Sequence, residues 1–180
     1  TQSRSSAASD VYKRQRHAYP AQQFPIESFD TFAKQFVPRW LTHGDMALDA
    51  YRQLLELAGP CIVFGHSQGG GFATLLAHEY AATVRAVVAL EPTGTPAAVP
   101  WQLPPHLLVW GDHFQADETW LRYRAQTDAY WRALRAAGVR AEALDLPAAG
   151  IAGNSHFCML DRNSDQIAGL IVDWLDRSLD

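Results

Sequence analysis

Cysteine is scarce in this sequence, with only Cys61 and Cys158 among 180 residues. No CxxC pair or repeated spacing occurs, so neither a disulfide framework nor a zinc cage is signalled. Long apolar runs are lacking too: charge, glycine or proline breaks each one well before the ~20 residues a membrane-spanning helix needs. Nor does one sign of charge dominate. Fifteen Lys and Arg face 19 Asp and Glu, a formal net charge of −4, and the charges are scattered, which leaves no basic face for nucleic acid. The histidines show no HxH or HExxH spacing, so no metal is implied. A small, neutral or weakly polar substrate fits this balance better than a polyanion.

The first residues also lack something. The chain opens TQSRSSAASDVYKRQR, with no initiator Met, no apolar signal core and no hydrophobic period. SSAASDVYKRQ resembles the translation of sequencing-adapter DNA at the end of an assembled read, and this leads to the expectation that the chain begins partway through a gene. A polar, disordered natural tail is the alternative. Residues 1–16 are therefore expected to carry no chemistry, and residues 17–180 to form the C-terminal part of one domain. Oligomeric state and compartment stay open, because any export signal would lie upstream.

What is present is a core. Hydrophobic residues make up 48% and aromatics 11% of the chain, enough for one globular domain. Phe29, Phe32 and Phe36 fall at helical spacing, as do Leu48, Tyr51 and Leu55 in a segment from Asp45 to Ala58 that Gly59-Pro60 ends. The run from Cys61 to Phe64 reads as a buried strand, Cys61 included. After GHSQGGG comes a helix marked by Phe72, Leu75, Leu76 and Tyr80. Further strands are expected at Val84 to Leu90, His106 to Trp110 and Ala141 to Leu146, as apolar runs covered on both faces. A helix carrying Trp120, Tyr123, Tyr130, Trp131 and Leu134 lies between the last two, and another closes the chain from Ser164 to Leu179, with Ile167, Leu170, Ile171, Trp174 and Leu175 on one face. Alternation of strand and helix predicts a parallel α/β sheet flanked by helices.

Gly65-His66-Ser67-Gln68-Gly69 is a G-x-S-x-G between a strand and a helix, the context in which this motif exposes a serine nucleophile on a strained turn. Side chains at 65 and 69 are expected to collide with the neighbouring strand and helix, hence the glycines. The Gln68 N–H, at the helix N-terminus, would face a developing oxyanion. A serine needs a base, and histidine suits that role best. Of seven histidines, His66 adjoins the serine but is expected to project away from it, His78 is on the following helix, His17 is in the tail, and His43, His106 and His113 precede the last strand. His156, after the last strand and before the closing helix, stands where the chain order Ser, acid, His puts the base. Trp101, Trp110, Trp120, Trp131 and Phe157 would either wall a pocket or serve as core. Thr93 to Pro105 reads as a cap or a plain surface loop.

Gly65-His66-Ser67-Gln68, Ala89-Leu90-Glu91-Pro92, Trp110-Gly111-Asp112-His113, Gly153-Asn154-Ser155-His156 and Asp161-Arg162-Asn163 together resemble a family of bacterial α/β-hydrolase esterases, from about Tyr19 to the end. The resemblance implies a Ser-His-Glu triad of Ser67, His156 and Glu91, an ester substrate and no cofactor. It also implies early strands, and a loop giving a second oxyanion N–H, upstream of residue 1. The residues themselves weigh Glu91 against Asp112. Asp112 sits two residues before the usual acid position, Phe114 here, where a carboxylate tends to bond its own turn. Glu91 ends a strand, is expected to be held extended by Pro92, and has the reach for His156 Nδ1. A thioesterase, amidase or lactonase would use the same triad. A non-catalytic binding module or an inactive fragment also remains open.

Overall fold

Four of the apolar runs pair into one sheet of β1 (Cys61–His66), β2 (Val84–Leu90), β3 (His106–Trp110) and β4 (Ala141–Asp145). In the computed structural model, which describes residues 18–37, 42–100 and 102–179, these strands lie in the order β1-β2-β3-β4. All three pairings are parallel. The expected tail of residues 1–16, with His17, Trp40 and Trp101, lies outside the described residues. The helices are α1 (Phe29–Ala33), α2 (Gly44–Ala58), α3 (Gln68–Glu79), α4 (Glu118–Ala136) and α5 (Ser164–Leu179). The Asp117 carboxylate caps α4 by accepting from the N–H groups of Thr119 and Trp120 at 2.8 and 3.3 Å.

Successive residues of a strand point to opposite faces, and the core divides accordingly. Val87, Ala89 and Leu108 join one cluster with Leu48 and Leu55 of α2, Leu76 and Ala77 of α3, and Tyr130 and Leu134 of α4. Ala86, Val88, Leu107 and Val109 join the other with Ile167, Ile171 and Trp174 of α5. Strands β2 and β3 are thus covered on both sides, which explains their unbroken apolar sequences.

β1 departs from the expected buried strand. Among the described residues it pairs on one side only, so Cys61 is only half-buried and Phe64 is 55% exposed. The phenylalanine helix is shorter than its spacing suggests. α1 ends at Ala33, and Phe36 lies beyond it, largely exposed but packed edge-on against Phe32. Tyr51 is also more exposed than Leu48 and Leu55 and meets Phe72. Among the described residues between β2 and β3, those from 93 to 100 and from 102 to 105 are not helical. Val99 and Leu103 pack on the α2–α3–α4 cluster, so the segment is a plain crossover loop rather than a cap.

Candidate active site

Ser67 sits between β1 and α3 with φ 55° and ψ −121°, a conformation that costs a non-glycine residue of order 1–3 kcal/mol. The surrounding backbone holds it there. Its N–H donates to Leu90 O at 2.9 Å, and its own carbonyl accepts from the N–H groups of Gly70, Gly71 and Thr93 at 3.0, 3.3 and 3.0 Å. Of the two glycines expected to relieve a collision, only Gly65 does so. A Cβ on Gly65 would lie 2.3 Å from Gly69 O, as a tight turn requires, but one on Gly69 would meet nothing within 4 Å. Close approach is needed instead at Gly70 and Gly71, where a Cβ would come within 2.9 Å of Pro92 Cβ and 1.9 Å of Thr93 O. These two glycines let the chain leaving β2 press against the start of α3. Gln68 heads that helix, where its N–H has no intrahelical carbonyl available.

The pressed chain carries Glu91, which is 3% exposed. Glu91 is not extended: its φ is 42°, because the backbone turns sharply toward Pro92 and Thr93 under α3. One carboxylate oxygen, Oε1, accepts from the Gly111 N–H at 2.8 Å, and the other, Oε2, lies 2.6 Å from His156 Nδ1. An ionised carboxylate only accepts, so Nδ1 carries the proton and Nε2 of a neutral His156 is the bare nitrogen. Glycine is needed at 111, since a Cβ would lie 2.7 Å from Glu91 Oε1 and 3.0 Å from Asn154 O. The His156 ring also meets the rings of His66 at 4.4 Å, Trp120 at 4.3 Å and Phe157 at 5.2 Å. The His66 ring therefore packs on that of His156, and its Nε2 donates to the His156 carbonyl at 2.7 Å.

The loop bearing His156 is held by a polar network that the sequence reading noted only as part of a resemblance. Asp161 is 3% exposed and forms no ion pair among the described residues. One of its oxygens accepts from the Asn154 side-chain amide and the Ser155 N–H, and the other from the Ser155 hydroxyl. Buried Asn154 also exchanges amide bonds with Asn163. Several neutral donors thus compensate the desolvated charge. A strap before α1 braces the loop from outside: Gln23 N–H donates to Gly153 O, Arg162 N–H donates to Gln23 O, and the Arg162 side chain pairs with Glu27. Three polar residues within ten, Asn154, Asp161 and Asn163, were the available signal for this network. The strap had none, being distant in sequence.

Asp112 does not meet His156. Its carboxylate accepts from His113 N–H at 2.7 Å and Gly153 N–H at 3.2 Å. Burial pushes its pKa up, but these backbone donors, then the neighbouring His113 ring when charged and the Gln115 side chain, together outweigh burial and leave it below its usual value. Phe114 lies tilted against Trp110, with Arg124 over both rings. Of the five aromatic candidates, Trp120 and Phe157 reach the His156 ring, Trp110 is buried, Trp131 packs on the core, and Trp101 lies outside the described residues. A cavity of about 170 Å³ beside Glu91 and His156 is lined by Tyr19, Asp112, His113, Phe114 and Trp120. A hollow of about 560 Å³ lies at the opposite, N-terminal ends of β2 and β3, around Val84, Arg85, Leu103 and Pro104; it holds none of the candidate site residues. His113 stacks on Tyr19, His43 precedes α2, and His78 and His106 share a separate cluster with Tyr130. Burial, then the nearby Glu91 and Asp161, push the Cys158 thiol up to about 12, so it is no rival nucleophile. Among the described residues, no group of His, Cys, Asp and Glu is placed to hold a metal ion, and no helix is long and apolar enough to cross a membrane.

Residues 8–153 match the family described as the alpha/beta hydrolase fold. A solved structure described as a novel bacterial esterase is similar at 30% identity with a TM-score of 0.81, covering 92% of this chain and 54% of that one. The chain thus spans about half the length of that esterase. MGS-M1, an alpha/beta hydrolase enzyme from a Medee basin deep-sea metagenome library, shares the fold at 20% identity and a TM-score of 0.52, over 89% of this chain and 78% of that one. Among curated proteins, none matches. A parallel sheet with a strained serine between its first strand and the following helix, together with the family match over most of its length, establishes that this chain belongs to the alpha/beta hydrolase fold family.

Proposed function

We propose that the chain is a carboxylic ester hydrolase with Ser67 as nucleophile, His156 as base, Glu91 as the orienting acid and the Gln68 N–H as an oxyanion donor. The observation that carries this reading is the 2.6 Å contact between Glu91 Oε2 and His156 Nδ1, made by a buried carboxylate beside a strained serine turn. Glu91 fixes the His156 tautomer, so Nε2 is free to take the Ser67 proton as Oγ attacks an ester carbonyl. The imidazolium so formed lies against the carboxylate. His156 returns the proton to the departing alcohol and leaves an acyl-serine. Water, deprotonated by the same nitrogen, then releases the acid. Backbone N–H at the start of α3 offers the growing negative charge a fixed dipole rather than mobile solvent.

The test is hydrolysis of short p-nitrophenyl esters together with fluorophosphonate labelling. Both are expected, with the label on Ser67, and Ser67→Ala is expected to lower kcat about 10⁴-fold or more. A label on another residue, or full turnover by the variant, would refute the assignment.

A further inference from the structure

We infer that His66, the residue before the nucleophile, is a positioning residue that holds the base His156 through its main-chain carbonyl. The inference rests on the serine-hydrolase reading above. His66 ends β1, where its backbone is registered against Leu90 of β2, so the sheet fixes where its ring begins. Its Nε2 lies 2.7 Å from the His156 carbonyl oxygen. A carbonyl cannot donate, so Nε2 carries the hydrogen, and in neutral His66 Nδ1 is bare. The ring packs 4.4 Å from that of His156 and 5.2 Å from that of Phe157.

The loop bearing His156 is also held by Asp161 on Ser155, by the Asp112 N–H on the Asn154 carbonyl and by the Gln23 N–H on the Gly153 carbonyl. His66 supplies a brace from β1, one residue from Ser67. A nucleophile and base on separate loops drift independently, and a misplacement of about 1 Å costs on the order of 10²-fold in rate. The bond from His66 makes the two move together. Burial, and then the neighbouring His156 when charged, hold the His66 pKa below its usual value, against smaller opposing effects from its hydrogen bond to the His156 backbone and from Glu91. His66 thus donates its N–H without placing a second positive charge beside His156 as that ring takes up the serine proton.

Two measurements test this. Nitrogen-15 imidazole spectroscopy on the unmodified chain is expected to find His66 protonated on Nε2; the Nδ1–H tautomer would overturn the inference. Kinetically, His66→Phe keeps a ring but loses the donor, and is expected to lower kcat by about 10–100-fold with KM unchanged. His66→Gln, whose amide can donate to the same carbonyl, is expected to recover most of that loss. Full kcat in the Phe variant, or a Gln variant as slow as the Phe one, would overturn it. If the unmodified chain neither turns over esters nor takes label at Ser67, the hydrolase reading fails instead, and the tautomer, read without turnover, still decides whether His66 makes this bond.

Discussion

Two histidine clusters lie at opposite ends of this sheet, and they differ in what surrounds the rings. At the C-terminal ends of the strands, His156 is only partly buried and pairs with the buried carboxylate of Glu91. At the N-terminal end of β3, His106 is fully buried among neutral partners. Its Nδ1 donates to Pro104 O at 2.7 Å, its Nε2 accepts from the Tyr130 hydroxyl at 3.1 Å, and that oxygen takes a hydrogen bond from His78 Nε2 at 2.9 Å. The first arrangement sets a carboxylate beside the ring. The second rejects a proton: burial lowers the His106 pKa to about 4 and raises that of Tyr130. A histidine can exchange protons where a carboxylate faces it and one nitrogen is left over. Where both nitrogens are spent on neutral partners, it is a polar core residue.

The comparison breaks most severely at Glu91. Glu91→Gln retains a carbonyl for the Gly111 N–H but loses the charge facing His156, and is expected to lower kcat by roughly 10²–10⁴-fold. Asp112→Asn is the control, since Asp112 meets backbone N–H groups and not His156. Measured by kcat, with folding checked by circular dichroism, the two variants are expected to differ by at least about tenfold. A loss in Asp112→Asn that Glu91→Gln does not share would move the acid to Asp112 and leave Ser67 and His156 in place.

At the other cluster the expected effect is on stability. The unfolded chain protonates His106 near pH 6.5, whereas the folded chain does so only near 4. The folded pKa is depressed, so the stabilisation is fully present above pH 6.5. It is lost as the pH falls from 6.5 to 4, by about 1.4 kcal/mol per unit and about 3 kcal/mol in all. His78, whose pKa burial also lowers, adds to the same slope. Urea melts between pH 4 and 7 check this: His106→Gln is expected to flatten the dependence by about one proton, and an unchanged slope would refute the assignment.

The fold was legible because β2 and β3 are covered on both faces and α5 on one, patterns that composition and period expose directly. The apolar run of β1 looks like theirs, but among the described residues β1 pairs on one side only. At the site, Ser67 announces itself through local turn chemistry. The partners of His156 are less visible, because Glu91 is 65 residues away in sequence and only the parallel register brings the ends of β2 and β3 beneath the base loop. Sequence reasoning placed Gly65 correctly but misassigned the other close-packed glycines. It treated Gly69 as close-packed, whereas Gly70 and Gly71 take the pressure from Pro92 and Thr93. That pressure comes from a segment twenty residues on, which a motif read in isolation does not contain. His66 was set aside for a related reason: its neighbour in the chain is Ser67, but its neighbour in space is the backbone of His156.

The smallest expected effect separates the two clusters most cleanly. Tyr130→Phe removes one hydroxyl from a side chain that is 2% exposed and keeps its ring among Leu76, Leu108 and Leu134 in the α2–α3–α4 core. What it breaks is a chain of hydrogen bonds: His106 Nε2 loses its donor, and His78 Nε2 loses its acceptor. His78 is half-buried and can turn to water, but His106 cannot, so the cost is that of one unsatisfied buried acceptor, about 1–2 kcal/mol. The pH slope assigned to His106 is expected to persist in the variant, because the ring remains buried without an anionic partner. kcat for a short ester is expected to stay at the wild-type level, since no bond of this cluster reaches Ser67, Glu91 or His156. Chemical denaturation and turnover measured on the same preparation decide the matter. A variant that melts normally but turns over slowly would mean that the buried cluster communicates with the site, and that the division between proton-exchanging and structural histidines fails in this molecule.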